Sequence, residues 1–239
     1  MTAIGAVAAF LVLWFGALDP QSAQAIGAGG QDRAPRSELV VLVHGLGRTA
    51  RSMEPMRAAL DSAGFDVINI GYSSVCCSIP ELGAAMRREL DARRLPAHTR
   101  VHFVGHSLGN ILVRWVLTQP DPPPGVGRVV MLAPPNQGSQ SADRYSRVIG
   151  WLLEPLGELR TDSTTTVRTL PPVRGVPIGI IAARHDGKLT IDQTRLPEAQ
   201  EHVVVDGKHT FIMRRADVHR LTISFLRDGH FVALPENTR

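Results

Sequence analysis

The chain has 239 residues, 44% of them hydrophobic, which suits one domain around one sizeable core. Charged residues make up 20% and the mean hydropathy is zero, which excludes a bulk that is disordered or embedded in a membrane. The net charge of +4 is carried almost wholly by arginine, with Lys188 and Lys208 as the lysines. The arginines are scattered and no basic run is interleaved with aromatics, so nucleic acid is not an expected partner.

Residues 3–18 carry no charge and are followed by Asp19-Pro20 and by Ala23-Gln24-Ala25, a pattern that signal peptidase cuts. The run is short for a membrane-spanning helix, and no Lys or Arg precedes it. Residues 1–25 therefore read as a signal peptide or an N-terminal membrane anchor. The expected location is outside the cytoplasm, periplasmic or secreted, or at a membrane by that anchor, and contact with a membrane surface stays open. Residues 26–37 are polar and rich in glycine, as in a linker, and the folded domain is expected over 38–239.

From there apolar runs alternate with helical patterns. Residues 39–43 are a continuous aliphatic run, suited to a strand buried on both faces. Met53, Met56, Ala59, Leu60 and Ala63 have helical spacing over 49–63, and Gly64 stops them. Strands are expected at 67–70, 101–104, 129–132, 178–182 and 202–205, and helices at 80–95, 107–117 and 217–226. Strands separated by helices imply parallel crossovers, hence a mostly parallel sheet with helices on both faces. The segment 136–172 breaks the alternation. Its amphipathic stretch holds Tyr145, Val148, Ile149, Trp151, Leu152 and Leu153, followed by a polar loop at 161–166. It is a candidate cap over the carboxyl edge of the sheet, or an ordinary crossover helix. Cys76 and Cys77 are adjacent. A bridge between neighbours strains disulfide geometry, so both read as ordinary loop residues.

A serine needs a base to take its proton, an acid to orient the base, exposure, and N–H donors for the oxyanion. Gly105-His106-Ser107-Leu108-Gly109 follows an apolar strand and opens an apolar helix. That is the context in which G-x-S-x-G raises a nucleophile on a sharp turn. His44-Gly45-Leu46-Gly47 ends the first strand, and the oxyanion hole is assigned to the N–H groups of Leu46 and Leu108. Asp186 lies just past the strand at 178–182 and is the expected acid, with Asp162, Asp192 and Asp206 as rivals. His209 follows the last strand and is the expected base. His44 buttresses the oxyanion loop or is simply packed, and His106 packs under the elbow. His185 is a neighbour of the acid without a role, and Phe211, Ile212 and Met213 line an acyl pocket or belong to the core. His102 and His106 lack the glutamate of a zinc helix motif, and neither a metal nor a cofactor is implied.

His44-Gly-Leu-Gly, Gly105-His-Ser-Leu-Gly109, Ala133-Pro-Pro-Asn-Gln-Gly-Ser139, Asp186-Gly-Lys-Leu and His209-Thr-Phe-Ile-Met213 together resemble bacterial α/β-hydrolases of the lipase and esterase type. The small members described as triacylglycerol lipase-like or acyl hydrolase-like are the most similar. The resemblance covers residues 38 to about 227 and implies ester hydrolysis through an acyl-enzyme, with Ser107, Asp186 and His209 as triad. No sequence for extra strands precedes Glu38, which implies a minimal sheet of about six strands. The expected substrate is a small-molecule or lipid ester. Acyl transfer or thioester hydrolysis would use the same triad, and a non-catalytic binder would keep the fold alone. A dinucleotide site is the rival from another class, since Gly45-Leu-Gly47-Arg-Thr-Ala50 fits G-x-G-x-x-A. It lacks an acidic residue after Ile70.

Overall fold

A continuous aliphatic run forms a strand when both faces of its sheet are covered, and the first strand, β1 (Glu38–Val43), meets that condition. Leu39, Val41 and Val43 point into one apolar layer, and Val40 and Leu42 into the other. The computed structural model describes residues 38–96, 99–150 and 153–233, without the side chains of 148 and 149. The N-terminal segment, the linker, Trp151, Leu152 and the side chains of Val148 and Ile149 lie outside the described residues.

The strands β2 (Asp66–Ile70), β3 (Arg100–His106), β4 (Val126–Leu132), β5 (Ile178–Ala183) and β6 (Glu201–Val205) complete a six-stranded sheet in the order β2-β1-β3-β4-β5-β6. All its pairings are parallel. Helices α1 (Glu54–Ser62), α2 (Ile79–Ala92) and α3 (Leu108–Leu117) make the first crossovers. Three short helices, α4 (Gln140–Ile149), α5 (Glu154–Glu158) and α6 (Thr166–Thr169), follow β4. One turn, α7 (Ile191–Thr194), follows β5, and α8 (Ala216–Asp228) closes the chain after β6. Met56 and Leu60 of α1 and Val218, Leu221 and Phe225 of α8 pack on one face, and α2 and α3 pack on the other.

The chain steps from β1 outward to β2, then returns past β1 to β3. The carboxyl ends of β1 and β3 therefore flank the switch point, where loops of an open parallel sheet form a crevice. Helix α1 begins later than its periodicity suggests, because Ala50–Met53 forms a 3-10 turn and Pro55 starts the α-helix proper. Helix α2 starts on a capping box, in which the Ser78 hydroxyl accepts from the Glu81 N–H and the Glu81 carboxylate accepts from the Ser78 N–H.

The loop after β2 corrects one expectation: Cys76 and Cys77 form a disulfide. The expectation held for an extended chain, in which successive side chains point to opposite faces. Here the chain turns between Ser74 and Cys77, and both sulfurs come to the same side. Among the described residues no helix is long and apolar enough to cross a membrane.

Candidate active site

Strand β3 runs straight into Ser107, whose φ of 51° and ψ of −123° lie outside the ordinary regions for a residue with a side chain. Such a conformation persists only where the surroundings enforce it. Two glycines make it sterically possible: a Cβ on Gly105 would sit 2.4 Å from Asn110 Oδ1, and one on Gly109 2.3 Å from the Val43 carbonyl oxygen. Asn110, fully buried in α3, donates from Nδ2 to the carbonyls of Ser107 (3.2 Å) and Leu132 (3.0 Å). It pins the turn from below, and no motif in the sequence pointed to it.

His209 stands at the start of a 3-10 turn, His209–Arg214, beyond β6. Its Nε2 is 3.0 Å from Ser107 Oγ and its Nδ1 2.8 Å from Asp186 Oδ2. A carboxylate only accepts, so Nδ1 carries the proton and Nε2 is left to accept from the serine hydroxyl. Asp186 Oδ1 accepts two further bonds, from the N–H groups of Lys188 (3.0 Å) and Leu189 (2.8 Å). The two side chains are 5% and 2% exposed, so water scarcely competes for this pair. The structure thus brings Ser107, His209 and Asp186, from the ends of three strands, into one hydrogen-bonded series.

His106 supports that series. Its Nε2 donates to the carbonyl of His209 at 2.9 Å, tying the histidine turn to the residue beside the nucleophile. Burial, and then the neighbouring His209, push the His106 pKa well below the usual histidine range, so the ring is a neutral strut. On the other side of Ser107, His44 donates from Nδ1 to the Gly45 carbonyl (3.0 Å) and stacks on Tyr72 with ring centroids 4.1 Å apart. Tyr72 donates to the His44 carbonyl at 2.6 Å, and the Gly47 N–H donates to Ser74 Oγ at 2.9 Å. The loop carrying Leu46 is therefore braced from the β2 side, and the buttress reading of His44 fits these contacts. The N–H groups of Leu46 and Leu108 make no backbone bond to the described residues, and that of Leu108 lies in the first turn of α3.

The series opens into a cavity of about 340 Å³. Its lining combines the apolar side chains of Leu46, Ala142, Leu153, Leu156 and Leu159 with the polar ones of Arg48, Ser141, Lys188 and Thr210. No family model and no curated protein matches the sequence. Solved structures do. A Bacillus licheniformis lipase in mature form superposes with a TM-score of 0.55 at 18% identity, over 73% of this chain and 86% of that one. A metagenomic carboxyl esterase gives 0.59 at 16% identity, over 77% and 70%. A type II thioesterase from the yersiniabactin biosynthetic pathway gives 0.56 at 19% identity, over 84% and 96%. The fold is that of the α/β-hydrolases.

In this α/β-hydrolase fold the other sequence candidates lie elsewhere. Asp192 pairs with Arg195 (3.0 Å), Asp206 with His185 (3.0 Å), and Asp162 accepts from the Thr164 N–H (2.9 Å). Ile212 and Met213 belong to the core, which corrects the acyl-pocket option for them. Phe211 is exposed under Arg214, whose guanidinium lies 5.0 Å from its ring centre. His102 is buried at the far end of β3 and accepts the Arg128 N–H at Nδ1 (3.0 Å). The polar lining, Arg48, Ser141 and Lys188, was missed because its members come from two separate loops and the first turn of α4.

Proposed function

We propose that the protein is a serine hydrolase that cleaves carboxylic esters through an acyl-enzyme, with Ser107 as nucleophile, His209 as base and Asp186 as its orienting acid. The observation that carries this is the hydrogen-bonded series Ser107 Oγ, His209, Asp186 at the crest of β3, with the serine held in a left-handed turn. The lipase and carboxyl esterase among the similar structures support the ester as the bond attacked.

In the first half-reaction Oγ attacks the carbonyl carbon as His209 Nε2 takes its proton. The carbonyl π electrons move to oxygen, and the N–H groups of Leu46 and Leu108 receive that oxyanion. Collapse expels the alcohol, which leaves with the proton from Nε2. Water then repeats the sequence on the acyl-serine and frees the acid and Ser107. Segment 136–172 acts as a cap in this reading, since Ala142, Tyr145, Leu153, Leu156 and Leu159 all come from it and face the cavity. The leucines of that lining suit an acyl chain. Export by the N-terminal segment is part of the same reading, supported by the Cys76–Cys77 disulfide, a bond that persists in oxidising compartments.

A fluorophosphonate probe tests the assignment. Covalent labelling of the wild type, lost in Ser107→Ala, is expected, and labelling that survives in that variant overturns it. A p-nitrophenyl ester series from acetate to palmitate then separates a short-chain esterase from a lipase.

A further inference from the structure

Ester hydrolysis by a serine relay needs no cation in its pocket, yet two line this one, Arg48 from the loop after β1 and Lys188 from the loop after β5. Neither side chain makes an ion pair or hydrogen bond with the described residues.

Lys188 is held in place by its backbone. Its N–H donates to Asp186 Oδ1 at 3.0 Å, and its carbonyl accepts from both Ser139 Oγ and Ser141 Oγ at 3.1 Å. The side chain therefore leaves a fixed point on the cavity rim. Partial withdrawal from water lowers the lysine's pKa, Arg48 lowers it further, and Asp186 offsets part of that shift. Both cations also reach His106, whose protonation they oppose after burial and His209. Two positive charges lining the cavity without an ion pair to the described residues are a ready counterpart for a negative charge on the substrate.

The side on which that charge belongs follows from the proton path. The departing oxygen takes its proton from His209 Nε2, so the alcohol half of the ester lies on the histidine side of Ser107. Lys188, whose N–H is joined through Asp186 to His209, and Thr210, next to His209 in the chain, line the cavity there. We infer that Arg48 and Lys188 select esters whose alcohol half carries an anionic oxygen group, a carboxylate or phosphate, held between guanidinium and ammonium while the acyl chain lies on the leucines. The inference rests on the hydrolase reading and specifies its substrate class.

Three esters test it: p-nitrophenyl butyrate, 4-nitro-3-carboxyphenyl butyrate with the anion on the alcohol half, and p-nitrophenyl hemisuccinate with the anion on the acyl half. The wild type is expected to favour the second over the first in kcat/KM by on the order of tenfold, two partly exposed charge contacts giving that much. The preference shrinks with added sodium chloride. It vanishes in R48Q/K188Q and inverts in K188E. The same second-to-first ratio in the wild type and the double variant overturns the inference, because a purely structural role would move both esters alike. A preference for the hemisuccinate instead overturns the assignment to the alcohol half. If the wild type hydrolyses none of the three and takes no fluorophosphonate, the hydrolase reading falls, and the inference falls with it.

Discussion

Two buried histidines face carboxylates at opposite ends of the same sheet, and only one pair is hydrogen-bonded in line with a serine hydroxyl. At the carboxyl edge His209 Nδ1 lies 2.8 Å from an Asp186 that accepts two further N–H bonds, and its other nitrogen meets a serine hydroxyl. At the amino edge His102 Nε2 lies 3.6 Å from Glu38, beyond hydrogen-bond reach, and its Nδ1 lone pair is spent on the Arg128 N–H. Burial pushes the His102 pKa down to about 4, so that ring stays neutral and serves as a backbone acceptor. What separates them is not residue type but whether both ring nitrogens are directed, one to an anchored acceptor and one to a group that can react.

That contrast breaks most sharply at the serine. Ser107→Ala or His209→Ala is expected to lower kcat by roughly 10⁴–10⁶, measured on the best p-nitrophenyl ester, whereas Glu38→Gln leaves it near wild type. Asp186→Asn is expected to cost about 10³–10⁴ in kcat, while Asp192→Asn and Asp162→Asn stay active. Full activity of Asp186→Asn with loss in either of the others would move the acid. The His102 side of the contrast is read in stability. Its folded pKa lies below the unfolded value, so its contribution is present at neutral pH and is lost as pH falls from about 6.5 toward 4, when the unfolded chain takes up a proton that the folded one refuses. About 2 kcal/mol is lost by pH 5 on that account. Urea unfolding at pH 7 and pH 5 measures it, and His102→Gln, which keeps an acceptor for Arg128, flattens the difference. The smallest effect is expected from replacing both cysteines by serine. The disulfide closes the shortest possible loop, worth roughly 1 kcal/mol in chain entropy, and Tm moves by about 2–4 °C.

Much of this was legible in residue order. Aliphatic runs announce buried parallel strands, and a glycine-flanked serine after one of them announces an elbow. Asp186 and His209, which the structure joins in series to Ser107, are polar residues just beyond the last two strands. Legibility failed where contacts come from distant loops. Arg48 and Lys188 converge only because β1 and β5 end on the same edge of the sheet. Asn110 looks like one polar residue in an apolar helix, yet it holds the elbow carbonyls. Helices α5 and α6, of five and four residues, are too short for a period to declare itself. Strand β4 starts three residues earlier than expected, because Val126-Gly127-Arg128 reads as loop until the pairing with β3, irregular between Val101 and Phe103, draws it into the sheet. The cysteine pair escaped because spacing says nothing about which way a turn sends its side chains.

The proposed base hangs from β6, a strand of five residues that, among the described residues, is paired on one side only. The proposed nucleophile hangs from β3, flanked on both sides. Fraying of that one border would silence turnover while nearly all of the hydrophobic interior stayed intact, so loss of catalysis on warming is expected to precede the calorimetric melt.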